Sequence, residues 1–382
     1  MANVLTDLAG DIYKAADVVG RELVGFIPSV LLNADGSDRV AVGDTVRSHF
    51  TRQATAVNAS ASMTLPEGTD QTVDNKTLTI TKERSVQIPW TGEDIRHVDN
   101  GSGFETIYGD QLVQAMRTLA NEAEADLAAE MAANASRAVG VAGTTPFGSN
   151  FDEIAEVRKV LVDNGMPTSD RRASIVMDTS AGTNLRQLAQ LQKVNESGNE
   201  EMLRRGTLLD LQGLMLKESA QVSSVAASAG SGYLINGTPA VGATSIPVDT
   251  GTGALAAGET ITIAGDTNVY VVAEAYAGGA GSIVIAGPGL KVAPADNAAI
   301  TNSGAFAANV AFHQTAGEVV FRAPAKPIGG DAADDVLTIQ DPMSGLVFEI
   351  AVYKGYRKMM VDVGAVWGVK AWKPEHIALL LG

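Results

Sequence analysis

The sequence contains no cysteine, which excludes disulfide bonds, thiolate metal sites and cysteine nucleophiles. Histidine is scarce, and its residues are scattered without the spacing of a metal-ligand motif such as HExxH. We therefore expect neither a metal site nor a bound cofactor. The histidines are His49, His97, His313 and His376.

Basic residues are also few, and no Lys/Arg cluster occurs. The chain carries 28 Lys and Arg against 44 Asp and Glu, a formal net charge of -16. Specific binding to nucleic acid or to an anionic membrane requires a basic patch, so neither is expected. No run approaches the roughly 18 apolar residues that span a bilayer. The first residues lack the basic region of a signal peptide, so we expect a soluble product made in the cytoplasm.

Residues 104–137 form the longest helical pattern, without proline. At ~1.5 Å per residue such a helix is roughly 50 Å long, which favours a strut across a flat subunit over an ordinary amphipathic helix. Its acidic residues are expected to face solvent or another subunit; these are Asp110, Glu122, Glu124, Asp126 and Glu130. Its apolar residues recur at steps of three and four, and they are Tyr108, Leu112, Met116, Leu119, Ala123, Leu127 and Met131.

Two further patterns precede this helix. Residues 3–27 form an amphipathic helical pattern that predicts an arm. From residue 55 to 90 the apolar period becomes two, which predicts a ribbon of two strands, 57–65 and 78–90. An isolated ribbon is marginal in water, so it should lie on another part of the protein or on a neighbouring subunit. The candidate intersubunit residues are Leu78, Ile80, Val86 and Ile88, and we expect Leu78→Asp or Ile80→Asp to block assembly of a folded subunit.

The second half combines mixed and all-β character. A helix is expected at 151–164, a strand at 173–177 and a helical run at 185–193. Residues 228–304 are rich in Gly and hold a single basic residue, Lys291, which predicts a small all-β module inserted into an α+β domain. Its strands are expected at 245–248, 260–263, 269–273 and 282–285, and a closing hairpin is expected from 346–353 and 357–369 around Lys354-Gly355.

Three kinds of motif are candidate sites. Asp249-Thr250-Gly251 matches an aspartic-protease loop, but that chemistry needs two facing carboxylates and the motif occurs once, so a turn is favoured. Residues 278–281 and 287–289 lack phosphate-loop spacing and indicate turns. Asn33, Asp35 and Asp38 resemble half a calcium loop without its Gly and terminal Glu, which favours a β-turn. No catalytic constellation is present, so we do not expect an enzyme.

Several stretches, taken in order, resemble the major capsid (coat) proteins of tailed bacteriophages in the P22 coat protein family. They are LAGDIY near the start, GETITIAGDTNVYVV followed by SIVIAGPG, NVAFHQTAGEVVFRAP, and the closing GLVFEIAVYKGYRKMMVDVGAVWGVKAWKPEHIALLLG. The resemblance implies an α+β HK97 capsid fold with an inserted small all-β domain. The implied parts are an N-terminal arm (1–45), an E-loop ribbon (46–90), a first P-domain part (91–172) with a spine helix (104–137), a first A-domain part (173–227), the inserted domain (228–304), an A-domain return (305–335) and closing P-domain strands (336–382).

The resemblance also implies a function. A protein of this kind self-assembles through pentamers and hexamers into an icosahedral shell that encloses double-stranded DNA without binding it specifically, and it performs no catalysis. A scaffolding protein and a portal protein are the implied partners, and the virion capsid, assembled in the host cytoplasm, is the implied location. An encapsulin-like protein compartment is the alternative. Asp11 lies in the matching LAGDIY stretch, where the family contacts the scaffold, although a solvated helix-face acid is the alternative.

Overall fold

The computed structural model describes residues 16–19, 25–51, 56–64, 73–99, 104–188, 210–341 and 344–382. Its helices in these ranges, beside a helical turn at 16–19, are α1 (Gly92–Asp99), α2 (Phe104–Ala133), α3 (Asp152–Asp163) and α4 (Thr179–Gln187). Short 3-10 turns lie at Ile27–Ser29, Gln314–Ala316 and Pro374–His376. None of the helices described is long and apolar enough to cross a membrane.

The strands of the first half are β1 (Leu31–Val40), β2 (Thr45–Thr51), β3 (Val73–Thr79), β4 (Lys82–Thr91), β5 (Arg137–Val139) and β6 (Ala173–Met177). Those of the middle are β7 (Asp210–Leu211), β8 (Leu214–Glu218), β9 (Ser224–Val225), β10 (Tyr233–Leu234), β11 (Ser245–Val248), β12 (Thr260–Ile263), β13 (Val269–Val271), β14 (Gly281–Val284) and β15 (Ala299–Asn302). Those of the last part are β16 (Phe306–His313), β17 (Gly317–Pro324), β18 (Ala333–Gln340), β19 (Val347–Gly355), β20 (Lys358–Ala371) and β21 (Ile377–Leu381).

The first sheet is built around the long strand β20. One edge of β20 pairs with β19 along residues 358–364 and then with β17 along 366–371, while its other edge pairs with β4 along 358–367. β18 extends the sheet beyond β19, and β1 lies parallel to β17. The closing hairpin expected from the sequence is therefore present as β19 and β20, with its turn at Tyr356-Arg357 rather than at Lys354-Gly355.

The second sheet has the strand order β10-β15-β12-β13-β5-β21-β16-β6-β8-β7. Apolar side chains of α3 and α4 pack on it, including Ile154, Leu161 and Leu185, which have no exposed surface. The expected helix at 151–164 and the strand at 173–177 are thus confirmed as α3 and β6. The helical run expected at 185–193 overlaps the end of α4 as far as Gln187, and residues 189–193 lie outside the described ranges.

The long helix α2 packs against both sheets through its apolar stripe. Its seven expected stripe residues, from Tyr108 to Met131, are each at most 3% exposed. They share one core with residues of the first sheet, such as Trp367, and of the second, such as Phe312. The stripe is confirmed, and the helix ends at Ala133, before the expected residue 137, because Arg137 begins β5.

The acidic face of α2 was expected to meet solvent or another subunit, and for most of its residues this was wrong. The Asp126 carboxylate accepts hydrogen bonds from Trp367 Nε1 at 2.9 Å and from Lys82 Nζ at 2.7 Å. Glu130 accepts from the Ala371 backbone N at 3.3 Å, and Glu124 is only 4% exposed. β4 and β20 supply donors and cations to this face, so the acids join the helix to its own sheet. Asp110 alone of the five is exposed.

The ribbon also differs from the expected one. β3 pairs with β2, at residues 45–51, whereas residues 56–64 form no strand. Residues 82–91, assigned to the ribbon from their alternation, belong to the first sheet as β4. An alternating pattern identifies a strand with two different faces but not its partner, which explains the mistaken pairing.

Asn33, Asp35 and Asp38 lie within β1 rather than in a free β-turn. The strand is irregular between Asp35 and Arg39, where the Ser37 backbone N donates to Asp35 Oδ1 at 2.9 Å. This local bend explains the turn-like sequence. No group of His, Asp or Glu within the ranges described is arranged to hold a metal ion.

The strands expected within residues 228–304 are confirmed as β11, β12, β13 and β14. The apolar side chains of this segment form a separate buried cluster drawn from residues 233–300, including Tyr233, Ile261 and Ile283. β13 also pairs with β5, so the segment continues the second sheet at one edge. The segment therefore has an apolar core of its own but shares one sheet edge with the rest of the chain.

Candidate assembly surfaces

The base of the β2–β3 ribbon is packed into its own chain. Leu78 and Ile80 are each 1% exposed and cluster with Val320, Val366 and Trp372. A Cβ on Gly368 would lie 2.7 Å from Leu78 Cδ2, so β20 approaches this point closely. Both side chains belong to a core within one chain, so a charge at Leu78 or Ile80 is now expected to destabilise the subunit rather than to leave it folded.

Val86 and Ile88 lie on β4 and face the main core with α2, where Ile88 is buried and Val86 half-buried. The four candidate intersubunit residues thus divide between two cores of a single chain. A contact of any of them with a second subunit stays a prediction. Asp11, the candidate scaffold contact, lies outside the described residues.

The segment 56–64, between β2 and β3, is the exposed part of this region. All its residues are exposed, and the exposed fraction reaches 81% for Val57 and 107% for Met63. The alternation of Val57, Ala59, Ala61 and Met63 predicts a strand paired within the ribbon, whereas the structure leaves these residues exposed and without a strand. Large apolar side chains exposed along one short segment are typical of a surface that binds a partner.

One backbone and one side-chain hydrogen bond fix the direction of the ribbon. The Thr81 backbone N donates to the Trp367 carbonyl at 3.2 Å, and Lys76 Nζ donates to the Trp372 carbonyl at 2.8 Å. Thr81 therefore lies beside residue 367 of β20, and Lys76 lies beside the residue that follows the last residue of β20, Ala371. Going backwards from Thr81 to Lys76, the chain runs along β20 and beyond its end. The ribbon is directed away from the β19–β20 turn.

An apolar cleft of 680 Å³ lies at that opposite end of β20. Trp90 lies beneath one wall: it is only 6% exposed, belongs to the main core, and its Nε1 donates to Gln111 Oε1 at 3.1 Å. The Gly92 backbone N donates to the Arg357 carbonyl at 3.2 Å, which joins this wall to the β19–β20 turn. Tyr356 stands at the rim and is 87% exposed. The full lining is Trp90, Thr91, Gly92, Glu93, Ile95, Tyr356, Arg357, Lys358 and Met359.

Glu124 is the buried acid at the junction of three elements. Its Oε1 accepts a hydrogen bond from the Phe26 backbone N at 3.3 Å and a short one from Ser219 Oγ. Lys217 Nζ donates to Ser29 Oγ at 2.7 Å, and Ser29 Oγ in turn donates to the Gly25 carbonyl. Burial raises the pKa of Glu124, and the hydrogen bonds and the Lys217 charge oppose this only in part. The cluster holds the chain entering β1 against α2 and β8.

We expect Glu124→Gln to flatten the dependence of subunit stability on pH. A carboxyl whose pKa is raised on folding stabilises the folded state below the ordinary pKa of Glu, and this contribution is lost as pH rises through the folded pKa. Gln keeps the Oε1 acceptor but does not titrate. Urea unfolding of unassembled subunit between mildly acidic and neutral pH measures the slope, with Asp110→Asn, at the exposed acid of the same helix, as the matched control. Equal slopes for Glu124→Gln and the unmodified chain would contradict the assignment.

Asp170, His313 and Thr315 form a hydrogen-bonded chain like part of a catalytic triad. His313 Nε2 lies 2.8 Å from Asp170 Oδ2, and His313 Nδ1 lies 2.8 Å from Thr315 Oγ1. The Thr315 backbone N also donates to Nδ1, so the imidazole caps the 3-10 turn, and its side chain is only 2% exposed. The hydrogen bond from His313 lowers the pKa of Asp170. This arrangement connects β16 to the loop before β6 and is structural.

Asp249-Thr250-Gly251 lies between β11 and β12, in a stretch that runs antiparallel to residues 231–235, since Val248 bridges Ile235 and Thr252 bridges Ser231. Asp249 is exposed, and Thr250 Oγ1 donates to the Gly232 carbonyl at 3.1 Å. Gly251 has a φ of 116°, which L side chains rarely adopt. The turn expected for this motif is therefore wrong, because residues 248–252 keep one antiparallel register with residues 231–235 and the motif belongs to that β structure.

Comparisons with known proteins identify the fold. The sequence matches no protein-family model and no curated protein. The capsid structure of the cyanophage P-SCSP1u matches with a TM-score of 0.51 and 11% identity over 94% of this chain and 88% of that chain. The mature capsid of bacteriophage PhiM1 matches with a TM-score of 0.48, 12% identity and coverages of 94% and 87%. A virus-like particle from Pyrococcus furiosus matches with a TM-score of 0.46, 8% identity and coverages of 98% and 100%. On the likeness to the cyanophage capsid, the chain has the mixed α/β fold of tailed-phage capsid proteins, the HK97 capsid fold.

Proposed function

We propose that this protein is the major capsid subunit of a tailed bacteriophage, which self-assembles through pentamers and hexamers into an icosahedral shell around double-stranded DNA. The observation that carries the proposal is the likeness to a phage capsid subunit over 94% of the chain. A likeness of this extent is spread along the chain rather than confined to one common motif. A structural role without catalysis is supported by two local arrangements: His313 of the triad-like chain caps a 3-10 turn, and Thr250 of the Asp-Thr-Gly motif bonds to the neighbouring stretch of β structure.

The net charge of the chain supports the proposal that the shell encloses DNA. A net charge of -16 gives a subunit that repels the phosphate backbone overall, so DNA can be enclosed without tight binding to the wall. The exposed apolar segment 56–64 supports self-assembly, because another subunit can cover it.

Finer features of the proposal come from the sequence resemblance. We propose membership of the P22 coat protein family, an inserted β domain at 228–304 and the domain limits given above. The separate apolar cluster drawn from residues 233–300 supports the inserted domain. A scaffolding protein, contacted through Asp11, and a portal protein are the proposed partners in the virion.

Negative-stain electron microscopy and sedimentation of the purified protein test the proposal. We expect closed particles, or capsomers that convert to them at higher concentration. A fully folded, monodisperse monomer at high concentration would overturn self-assembly. The contents of particles purified from the native host distinguish the alternatives: double-stranded DNA supports the phage capsid, whereas a packaged enzyme would support an encapsulin-like compartment.

A further inference from the structure

The chain contains three Asn-Gly pairs, a sequence that is chemically labile. The side-chain carbonyl of Asn can close a succinimide ring with the backbone N of the next residue, and Gly has no Cβ to hinder that nitrogen. The pairs are Asn100-Gly101, Asn164-Gly165 and Asn236-Gly237. The first pair lies outside the described residues, so the comparison is between the other two.

The Asn164 side chain is held at both of its polar atoms. Its Nδ2 donates to Ser136 Oγ and to the Glu375 carbonyl, each at 3.0 Å, and its Oδ1 accepts from Arg137 Nη2 at 3.1 Å. Ser136 and Arg137 are at most 5% exposed. The side chain cannot turn towards the Gly165 backbone N without breaking these hydrogen bonds and leaving buried partners unpaired. The fold therefore protects this pair.

Asn236 lies in an open part of the β segment. It is exposed, and its side chain makes no hydrogen bond to any residue that the structure describes. Its backbone N donates to the Pro247 carbonyl at 2.9 Å, whereas residues 238–240, which follow shortly after, form no strand. Gly237 has a φ of 82°, and a Cβ built on it would meet nothing within 4 Å. The Asn236 side chain can therefore turn towards the Gly237 backbone N without breaking a contact.

A carboxylate lies on the proton that ring closure has to remove. The Gly237 backbone N donates to Asp296 Oδ1 at 2.7 Å, and Asp296 Oδ2 accepts from Asn297 Nδ2 at 3.0 Å, which orients the carboxylate. A general base has to lie within hydrogen-bond reach of the proton that it takes, and Asp296 meets this condition. The attacking nitrogen, the amide carbon and a base are thus brought together at one exposed place.

We propose that Asn236 is a site of spontaneous deamidation in the folded protein, assisted by Asp296. Asp296 takes the Gly237 N–H proton, and the nitrogen attacks Asn236 Cγ. The Cγ–Nδ2 bond breaks as the new Cγ–N bond is completed, and the proton passes from Asp296 to the departing nitrogen, which leaves as ammonia. Water then opens the succinimide at either carbonyl and gives aspartate or isoaspartate. The reaction needs only water, so this inference stands apart from the capsid proposal.

Each event replaces a neutral amide by a carboxylate and so makes an acidic chain more negative. The isoaspartate product also inserts a carbon atom into the main chain next to the hydrogen bond between the Asn236 backbone N and the Pro247 carbonyl. The modification therefore accumulates with the age of the protein, at one position of the β segment.

Incubation of the folded full-length chain at mildly alkaline pH, followed by digestion and mass spectrometry, measures both pairs in one sample. Asn164 is the internal control, since it is also followed by Gly. We expect Asn236 to convert at least about tenfold faster than Asn164, because reaction at Asn164 first breaks several hydrogen bonds. In concentrated urea, where the fold is lost, we expect the two pairs to convert at similar rates. Equal rates at both pairs in the folded protein, or no conversion at Asn236, would overturn the proposal.

Asp296→Asn tests the role of the carboxylate. The Asn side chain keeps an oxygen that accepts the Gly237 hydrogen bond, but it does not take up the proton. We expect conversion at Asn236 to slow by about tenfold, less than the roughly 10² to 10⁴ of a base matched to the working pH, because a carboxylate is a weak base there. Asp249→Asn, the same change at another exposed acid of the β segment, should leave the rate unchanged. In urea the unmodified chain and both variants should convert alike. An unchanged or faster rate for folded Asp296→Asn would overturn the assignment of Asp296 as the base.

Discussion

Leu78→Asp is expected to abolish the folded subunit, whereas Met63→Asp is expected to leave the subunit folded and to abolish assembly. Leu78 is 1% exposed and packs among apolar side chains of β17 and β20. Removing a buried Leu side chain costs about 2 to 5 kcal/mol, and burying a carboxylate adds a further penalty. A domain is stable by only about 5 to 15 kcal/mol, so most of the margin is lost. Met63 is fully exposed and contributes nothing to that core.

Circular dichroism and thermal unfolding of the soluble fraction measure the folding of both variants, and sedimentation velocity measures their assembly. Val241→Asp is the matched control, because it also places a charge at an exposed apolar residue but lies outside the ribbon. We expect this control to fold and to assemble. If Leu78→Asp folded with an unchanged melting temperature, or if Met63→Asp assembled as well as the control, the assignment of core and surface in the ribbon would be wrong.

The elements that the sequence predicted best are those with local periodicity. The stripe on α2 needs only residues three and four apart, and every member of it is buried. The short strands β11, β12, β13 and β14 were likewise bounded correctly to within two residues, because Gly-rich turns separate them. In both cases the signal lies within about ten residues of chain.

Pairings between distant segments could not be predicted in the same way. β1 lies parallel to β17, although Leu31 and its partner Glu318 are far apart in sequence. The acids of α2 illustrate the same limit, since periodicity identified the polar face but not the Trp367 and Lys82 donors that cover it. Leu78 and Ile80 were correctly recognised as apolar residues needing cover, and the covering strands come from the last third of the chain. The register and the pairing partner of a strand depend on the topology of the whole chain.

No pattern in the sequence predicted the cleft lined by Trp90 and Tyr356. Its walls come from the end of β4, from the start of α1 directly after it, and from the β19–β20 turn, which follows them by more than two hundred residues in the chain. Each contributing residue is ordinary in its own segment, and only the pairing of β4 with β20 brings them together.

Gly251→Ala is expected to destabilise the β segment strongly, whereas Asp249→Asn is expected to have little effect. A Cβ on Gly251 would lie 2.1 Å from Tyr233 Cδ1, and Tyr233 is 1% exposed in the core of the segment, where it packs against Tyr276 at 5.8 Å between ring centres. The φ of 116° adds backbone strain for any residue with a Cβ. Strain of about 1 to 2 kcal/mol and overpacking of about 1 to 3 kcal/mol together predict a loss of roughly 2 to 5 kcal/mol.

Asp249 is exposed, so its isosteric replacement should change stability by no more than about 0.5 kcal/mol. Thermal unfolding of the two variants, with limited proteolysis to locate cleavage between residues 228 and 304, separates these expectations. Early cleavage in that range for Gly251→Ala, and wild-type resistance for Asp249→Asn, would show that the Asp-Thr-Gly sequence is needed for the packing of the β segment and not for a reactive carboxylate. A stable Gly251→Ala protein would mean that Tyr233 moves aside without cost, and the packing described for this core would then be wrong.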